Sequence, residues 1–504
     1  MDAALFSEVL ANLLTFQVLI AITLGVVGGI VIGALPGLSG TMGVALLIPV
    51  TFGLEPVAGL AMLASIYTAA TYGGSISAIL INTPGTPAGA ATALDGYQMT
   101  RNGEGAKALG VSAIASMIGG TISALVLLFV APPLSRVSLA FSAPEYFLIA
   151  VFGLTIIGSL AAGSVLKGLA AGALGLLVAT IGIDTLTGFP RFTFGTTPLQ
   201  SGIQLVPALV GLFALSQVMI LAERGISGES QIVGALRGRV LPTIREFKRI
   251  IVTILQSSGI GVFVGMLPGA GGDIASWVGL NEAKRFSRDK EKFGKGCIEG
   301  VAAPESANNA VTGGALIPML TLGIPGSSVT AVLLGGLLIQ GLRPGRELFT
   351  TQADITYAVI LGFLLANILM GIIAIAGARL FVKVTMVPQK VLAPIIVTLC
   401  IVGAYAINNS IADVWVMVVF GLIGYLLRKT GFPPAPVVLG LILGSIAEQG
   451  LRQSIDLAQG DVLGYYLSRP ISVVLIVLIL LSVVAPLAIR YVKHRGARTE
   501  RGEQ

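Results

Sequence analysis

Charged residues are scarce in this sequence. Asp, Glu, Lys and Arg make up 11% of its 504 residues, whereas a soluble protein of ordinary composition carries about 25%. Hydrophobic residues make up 55%, and the mean hydropathy is +0.92. This balance excludes a water-soluble fold of this length. Most of the chain is therefore expected to lie in a lipid bilayer, where one helical span needs about 20 apolar residues.

Cysteine and histidine are nearly absent. Cys297 and Cys400 are far apart and form no CxxC pair, so neither a disulfide framework nor a zinc site is indicated. The only histidine, His494, lies in the basic C-terminal segment. Ser39 stands in Gly-Leu-Ser-Gly, which matches the GxSG motif of rhomboid-type intramembrane proteases, but no histidine in an apolar run could act as its general base.

Two further enzyme motifs are missing. The sequence Ala-Gly-Gly-Asp ending at Asp273 departs from the GxGD motif of intramembrane aspartyl proteases, and no second Tyr-Asp motif supplies another carboxylate. No GxxxxGK[ST] loop is present to bind a nucleotide. We therefore expect neither an enzyme nor a cofactor, and energy for any transport must come from an ion gradient or another subunit.

The basic residues that are present gather in short segments between apolar runs. Lys and Arg are absent from residues 1–100, so this end, with the N-terminus, is expected to be periplasmic. Basic segments favour the cytoplasmic face of an inner membrane. The basic residues of the linker are Arg224, Arg237, Arg239, Arg245, Lys248 and Arg249. Those of a second loop are Lys284, Arg285, Arg288, Lys290, Lys292 and Lys295, and those of the C-terminal tail are Arg490, Lys493 and Arg495.

Apolar runs suited to membrane helices recur along the chain. The first starts at Phe16 with no basic stretch before it, so we expect a retained helix rather than a cleaved signal peptide. The runs span residues 16–35, 57–81, 107–130, 146–161, 166–183, 203–222, 250–267, 303–322, 329–339, 355–382, 391–406, 414–427, 436–447 and 471–488.

The stretch 250–283 between the two basic segments is too short for two spans, which need about 40 residues. If both basic segments are cytoplasmic, the chain must enter and leave on the same side. A re-entrant hairpin with its tip at Pro268 and Gly269 satisfies this condition. Broken backbone at such a depth is tolerated only against protein or a water-filled cavity.

Helix breaks recur in the same order in the two halves of the chain. Leu-Pro-Gly occurs at Pro36 and again at Pro268, 232 residues later. A second pair of breaks follows, with Pro84 in Asn-Thr-Pro-Gly-Thr and Pro325 in Ile-Pro-Gly-Ser-Ser, 241 residues apart. Matched breaks in halves of opposite predicted orientation are typical of inverted-repeat transporters, whose site lies between the repeats.

These observations predict an all-α polytopic membrane protein with two inverted repeats, re-entrant hairpins and broken helices, plus an extra C-terminal helix. The predicted divisions are residues 1–222 for the first repeat, 223–249 for a basic cytoplasmic linker, 250–450 for the second repeat and 451–504 for the final helix and basic tail.

The breaks carry the predicted binding chemistry. A proline removes a backbone hydrogen bond and a neighbouring glycine lets the chain turn, so carbonyl and N–H groups become free. New helix N-termini suit a carboxylate substrate. The predicted substrate-binding residues are Asn82, Thr83, Pro84, Gly85, Thr86, Asn308, Asn309, Pro325, Gly326, Ser327 and Ser328. Freed carbonyls and hydroxyls suit Na⁺, and the predicted Na⁺ residues are Pro36, Gly37, Ser39, Gly40, Pro268, Gly269, Gly271 and Asp273.

Alternatives remain open at this point. The hydroxyl groups at the breaks either line a hydrated pocket, the interpretation we favour, or satisfy the broken backbone. For Asp273 and Glu305 we favour N-terminal capping over a cation- or proton-binding role. Na⁺ coupling is favoured over H⁺ coupling because no membrane histidine is present, although Asp273 keeps H⁺ open. A channel-like permease is the rival to alternating access.

Four blocks of the sequence resemble the large membrane subunit of tripartite tricarboxylate transporters, the TctA family. The resemblance runs over essentially the whole chain. The blocks are GALPGLSGTMGVALLIPVTFGLEP from Gly33, YGGSISAILINTPGTPAGAATALDGYQM from Tyr72, GMLPGAGGDIASWVGLNEAKRF from Gly265 and APESANNAVTGGALIPMLTLGIPGSSVTAVLLGGL from Ala303.

The resemblance implies two protein partners: a small, TctB-like membrane subunit and a periplasmic, TctC-like solute-binding protein that delivers the substrate. It further implies import driven by a cation gradient, usually Na⁺. The implied substrates are small carboxylates such as citrate and other tricarboxylates, with dicarboxylates and aromatic carboxylates left open. No nucleic-acid partner is implied.

Overall fold

The fold was obtained as a computed structural model, and the residues that the structure describes are 3–84, 86–137, 141–160, 165–184, 187–224 and 238–482. Among these residues, eight helices are long and apolar enough to cross a membrane by length and composition. Strand is confined there to one short antiparallel pair, β1 (Gly182–Ile183) and β2 (Pro190–Arg191). The prediction of an all-α polytopic membrane protein is confirmed.

Most of the described chain is helical. In order they are α1 (Ala3–Leu13), α2 (Phe16–Ala34), α3 (Gly40–Thr51), α4 (Pro56–Ile81), α5 (Pro87–Arg101), α6 (Gly105–Val137), α7 (Ala143–Leu160), α8 (Val165–Ala179), α9 (Thr197–Gln200), α10 (Leu205–Leu209), α11 (Ser216–Arg224), α12 (Ile244–Met266), α13 (Gly271–Phe286), α14 (Ile298–Leu322), α15 (Ser328–Ile339), α16 (Arg346–Phe349), α17 (Ala353–Val384), α18 (Gln389–Asn408), α19 (Ile411–Lys429), α20 (Ala435–Leu457), α21 (Val462–Leu467) and α22 (Pro470–Ser482). A π-helical turn, Val210–Leu215, joins α10 to α11, and a 3₁₀ turn, Lys290–Lys292, follows α13.

Each Leu-Pro-Gly motif ends one helix and allows another to begin. In the first repeat, Gly37 has a φ of +86° between α2 and α3. In the second, Gly269 and Gly271 have φ of +79° and +62° between α12 and α13. Glycine adopts this left-handed conformation without the steric cost of a side chain, so the two helices can fold back on each other.

The later breaks use the same devices in the two repeats. Asn82, with a φ of +52°, ends α4, and Gly323, with a φ of +72°, ends α14. The next helix is then capped by a hydroxyl side chain, Thr86 for α5 and Ser327 for α15. A hydroxyl at this position accepts a backbone N–H that would otherwise lack a partner inside the helix.

The same close glycine packing occurs in both repeats. A Cβ added to Gly33 of α2 would lie 2.9 Å from the Cα of Gly73 on α4. A Cβ added to Gly265 of α12 would lie 3.0 Å from the Cα of Gly314 on α14. Gly33 and Gly265 are 232 residues apart, and Gly73 and Gly314 are 241 residues apart. These are the same intervals that separate the two pairs of breaks. Small residues allow helix backbones to approach closely in membranes. The repeat predicted from the breaks is therefore present in the packing.

Contacts at the helix ends show that the repeats run in opposite directions. Lys107 at the start of α6 pairs with Glu246 at the start of α12, with 3.1 Å between Nζ and Oε1. Gln340 after α15 donates to the carbonyl of Thr51 at the end of α3, over 3.0 Å. The open end of the α12–α13 hairpin therefore lies where the first repeat passes from α5 to α6. The open end of the α2–α3 hairpin lies where the second repeat passes from α15 toward α17.

The hairpin of α12 and α13 leaves from and returns to one end, as predicted for a tip at Pro268. Arg249 near the start of α12 pairs with Asp289, just beyond α13, over 2.8 Å. However, α12 begins at Ile244, inside the predicted linker 223–249. Thr243 and Glu246 form a capping box that starts the helix before the apolar run does.

Packing divides the chain into two compact units. The first comprises Met1–Arg136 and Val206–Tyr425 and contains both sets of broken helices; the second comprises Val137–Leu205 and Leu426–Gln504. In the second unit, α20 packs against α7 and α8. Its ion pairs are Arg191 with Glu448 at 2.6 Å, Arg452 with Asp184 at 2.9 Å and Arg469 with Glu145 at 2.6 Å. The repeat boundaries proposed at residues 222, 250 and 450 stay a prediction.

Asp95 ties α5 to the segment that leads into α14. Its Oδ1 atom accepts the backbone N–H groups of Gly294, Gly296 and Cys297 over 2.8, 2.9 and 2.8 Å. A buried N–H group left without a partner costs about 1–3 kcal/mol.

We expect Asp95→Ala to lower the free energy of unfolding of the full-length chain by about 2–4 kcal/mol, because three N–H groups lose one acceptor. Thermal unfolding in detergent measures this. Asp95→Asn is the matched control, since its amide oxygen can still accept and its loss should be smaller. Equal melting temperatures for wild type and Asp95→Ala would contradict the prediction.

Candidate functional site

The breaks of the two repeats lie side by side in the first unit. The N–H of Gly269 donates to the carbonyl of Gly326 over 2.9 Å, which joins the two breaks of the second repeat. The N–H of Ala88, in the first turn of α5, donates to Asp273 over 3.0 Å, which joins a break of the first repeat to one of the second.

The remaining break of the first repeat meets α15. The hydroxyl of Thr41 donates to that of Ser328 over 3.5 Å, and the hydroxyls of Tyr67 and Ser327 are 3.4 Å apart. The N-termini of α3 and α15 are therefore neighbours, as are those of α5 and α13. The breaks of both repeats therefore share one region of the first unit.

The predicted substrate-binding residues fall into an exposed group and a buried group. Asn82, Thr83 and Pro84 are exposed, and Thr86 is half-buried. Gly85 lies outside the described residues. The other members come from α14 and the break that follows it: Asn308, Asn309, Pro325 and Gly326 are buried, and Ser327 and Ser328 are half-buried. Their role in binding stays a prediction.

Three of the hydroxyl groups at the breaks have backbone partners. Ser39 accepts the N–H of Met42 over 3.3 Å, Thr86 that of Gly89 over 3.3 Å, and Ser327 that of Thr330 over 3.2 Å. Of the two interpretations left open by the sequence, the structure supports the satisfaction of broken backbone for these groups. The pocket interpretation that we favoured stays a prediction.

The predicted Na⁺ residues are distributed over two breaks. Pro36, Gly37, Ser39 and Gly40 lie between α2 and α3, where the carbonyl of Gly37 accepts from Gln217 over 2.7 Å. Pro268, Gly269, Gly271 and Asp273 lie at the junction of α12 and α13. Among the described residues, no three His, Cys, Asp or Glu side chains gather as a metal site. A cation would therefore rely largely on hydroxyl and carbonyl oxygens.

The two carboxylates considered for capping differ in position. Asp273 lies in the first turn of α13, but its side chain receives the N–H of Ala88 and so caps α5. Glu305 does not cap a helix, because α14 begins two turns earlier at Ile298 and Glu305 is completely buried in its interior. The favoured capping interpretation was wrong for Glu305.

Four hydroxyl groups surround the Glu305 carboxylate. Ser75 and Thr92 each donate to Oε1 over 2.5 Å, and Ser112 and Ser116 donate to Oε2 over 2.8 and 3.1 Å. We define these five residues as the Glu305 cluster. Sequence reasoning missed the four hydroxyl residues, since each is a single small polar group in an apolar helix. The four-residue spacing of Ser112 and Ser116, one helical turn, was the only available signal.

A second buried polar network lies where the repeats meet. The hydroxyl of Thr68 is 3.2 Å from Oδ1 of Asn309 and 2.6 Å from Oδ1 of Asn367. Thr68 and Asn309 are 241 residues apart, the interval that relates α4 to α14. Equivalent residues of the two repeats are therefore in contact, which places a local two-fold axis at this point.

Two oppositely directed repeats of broken helices, with polar groups at the breaks, define a multi-pass membrane transporter rather than an enzyme. The chain belongs to the tripartite tricarboxylate transporter TctA family, whose model matches residues 19–439. It is therefore a component of a tripartite transport system.

The curated relatives are themselves uncharacterised. A protein of Agrobacterium vitis described as an uncharacterized 52.8 kDa protein in the TAR-I ttuC′ 3′ region is 41% identical over 465 residues, which cover 92% of each chain. A second, described as an uncharacterized protein in the TAR-II ttuC′ 3′ region of the same organism, is 38% identical over 227 residues, or 45% of this chain and 93% of the relative. No solved structure matches.

Proposed function

We propose that this chain is the large transmembrane subunit of a Na⁺-coupled importer of small carboxylates, such as citrate and other tri- or dicarboxylates, in a bacterial inner membrane. The meeting of four helix N-termini at the breaks is the observation that supports this proposal. The N-termini of α3, α5, α13 and α15 present partial positive charge and N–H groups, which attract an anion.

In this proposal the substrate carboxylates are held by helix dipoles and hydroxyl groups, since no arginine falls inside the Pro-Gly motifs. Asn82 and Thr83, which are exposed, meet the substrate first, and Ser327 and Ser328 at the start of α15 complete the site. The inverted repeats then exchange outward- and inward-facing states about this site, which is alternating access.

The proposed partners follow from membership of the family. A solute-binding protein of the TctC kind delivers the carboxylate from the periplasm, and a small membrane subunit of the TctB kind completes the complex. Na⁺ is the proposed coupling ion, because carbonyl and hydroxyl oxygens are hard ligands and the described membrane helices contain no histidine.

Uptake by proteoliposomes that contain the complete three-component system tests the proposal. We expect saturable uptake of labelled citrate or another small carboxylate, and replacement of external Na⁺ by choline at fixed pH should reduce the initial rate at least about tenfold. Uptake that instead follows an imposed pH gradient would favour a proton-coupled permease. Flux at near-diffusive rates that does not saturate would favour a channel.

The substrate site has its own test. Asn82→Ala together with Ser327→Ala is expected to raise the KM for the carboxylate about tenfold, because one to two hydrogen bonds to a charged group are lost. Thr23→Ala is a matched control, since among the described residues its exposed hydroxyl bonds only to the carbonyl of Leu19 in its own helix. An unchanged KM in the double variant would remove these residues from the site.

A further inference from the structure

The Glu305 cluster is formed by residues inside helices rather than by the breaks themselves, and it draws on helices of both repeats. Its carboxylate belongs to α14, whereas Ser75 lies on α4, Thr92 on α5, and Ser112 and Ser116 on α6. All five residues are buried, and every hydroxyl points at a carboxylate oxygen. An ionisable group inside a membrane protein is costly and is a functional candidate by default.

The positions of the other repeat that correspond to the Glu305 cluster show which side chains helix packing alone requires there. By the 241-residue interval, Glu305, Ser75 and Thr92 correspond to Ala64, Leu316 and Leu333. All three counterparts are apolar. They line one apolar cavity in the first unit, so the three helices pack in the other repeat without any polar side chain at these positions.

The helix that completes the cluster follows the same rule. Ser112 and Ser116 lie on α6, and α17 is its counterpart. When the first alanines of these helices, Ala106 and Ala353, are aligned, the two serines correspond to Val359 and Phe363. Both of these residues line the same cavity. The polar set is therefore a property of one site and is not required by the repeated fold.

The composition of the cluster fits a small monovalent cation. Two carboxylate oxygens and four hydroxyl oxygens provide six hard ligands and a single negative charge, all shielded from solvent. A proton would bind a single carboxylate oxygen, whereas a cation can be shared by all six oxygens. The hydroxyl of Tyr72, one turn before Ser75 on α4, is also buried and has no hydrogen-bond partner among the described residues.

We infer that the Glu305 cluster is the binding site for the coupling cation, Na⁺, of this transporter. The inference rests on the proposed function for its role in transport. Binding neutralises the buried charge and turns the hydroxyl oxygens from donors to the carboxylate into ligands of the ion. The site differs from the Na⁺ residues predicted at the breaks.

The position of Thr92 on α5 links ion binding in the cluster to substrate binding at the breaks. Thr92 follows Thr86, the cap of α5, by six residues, and Ala88 between them contacts Asp273. An ion that holds Thr92 against α14 therefore fixes the N-terminus of α5 at the break. Ion binding and substrate binding then stabilise the same position of α5, which is the physical requirement for coupling.

The experiment measures Na⁺ binding directly on the purified full-length chain. Radioactive ²²Na⁺ binding and thermal unfolding are recorded with increasing NaCl, with choline chloride keeping the ionic strength constant at fixed pH. We expect saturable binding and a rise in melting temperature with NaCl for the wild type, because a ligand of the folded state stabilises it. Glu305→Gln, which keeps the shape and removes the charge, should abolish both.

Milder variants keep the test informative if Glu305→Gln does not fold. Ser75→Ala and Thr92→Val each remove one ligand and should raise the Na⁺ concentration for half-maximal binding about tenfold. Ser65→Ala and Thr321→Val are matched controls on α4 and α14, because within the described part of the chain these buried hydroxyls bond only to carbonyls of their own helices. The controls should bind Na⁺ as the wild type does.

The outcomes separate the inference from the proposed function. Wild-type Na⁺ affinity in Ser75→Ala and Thr92→Val, or Na⁺ binding that survives in Glu305→Gln, would overturn the inference while carboxylate uptake could still be Na⁺-driven. A wild-type chain that binds no Na⁺ but changes melting temperature with pH in a Glu305-dependent manner would also overturn it, in favour of a proton site. Na⁺ binding that depends on Glu305, without carboxylate uptake by the complete system, would support the inference and refute the proposed function.

Discussion

Replacing Gly33 by alanine is expected to lower the free energy of unfolding of the chain by about 1–3 kcal/mol, the usual cost of overpacking. The added Cβ would lie 2.3 Å from the carbonyl oxygen of Ala70 and 2.9 Å from the Cα of Gly73. Because both atoms belong to the backbone of α4, no side-chain rotation can relieve the clash, and α2 must move as a whole.

Thermal unfolding of the purified full-length chain measures this effect, and α2 offers its own control. A Cβ at Gly28 would meet no atom of the described residues within 4 Å, so Gly28→Ala should leave stability unchanged or raise it slightly through helix propensity. The second repeat should behave alike, with Gly261→Ala destabilising and Gly259→Ala neutral, since a Cβ at Gly261 would meet the carbonyl oxygen of Ala307 on α14 at 2.2 Å and one at Gly259 would meet no described atom within 4 Å. Equal melting temperatures for Gly33→Ala and Gly28→Ala would refute this account of the packing.

Replacing Asp273 by alanine is expected to reduce the initial rate of the proposed carboxylate uptake at least about tenfold, because the N-terminus of α5 loses a charged acceptor that is typically worth about 1.5–3 kcal/mol. The carboxylate accepts the N–H of Ala88 over 3.0 Å and connects breaks that belong to different repeats. Asp273→Asn retains an oxygen acceptor at the same place, so its uptake rate should fall between those of the wild type and Asp273→Ala.

Uptake by the complete system in proteoliposomes, normalised to the amount of folded chain, checks this order. Glu282→Ala is the matched control on α13, because its carboxylate contacts only Arg285 of the same helix, at 3.4 Å, among the described pairs. A variant Asp273→Ala with wild-type uptake would show that the contact between the breaks has no part in transport.

Long apolar runs and proline-glycine pairs in the sequence were enough to predict several membrane helices and helix breaks. The run 16–35 became α2 (Phe16–Ala34) and the run 57–81 became α4 (Pro56–Ile81). The hairpin tip at Pro268 followed from the two basic segments around it, since charge restricts where a chain can leave the membrane. These features are local, so one stretch of sequence is enough to determine them.

Short helices with mixed composition were not predicted. α3 and α5 each contain two glycines, two threonines and a proline, and α1 precedes the first apolar run. Their intrinsic helix preference is weak, and packing against longer helices supplies most of their stability. The start of α12 was predicted at residue 250, where the apolar run begins, whereas the helix starts at Ile244, at the capping box of Thr243 and Glu246.

The sequence by itself determined that this chain lies in a membrane, that its helices break in matched pairs and that its two repeats run in opposite directions. Composition, charge placement and Pro-Gly pairs act locally, so they persist whatever the rest of the chain does. Only the tertiary structure decided which hydroxyl groups cap helices and which surround Glu305. Ser75, Thr92, Ser112 and Ser116 come from three helices, and only helix packing could bring them to one carboxylate.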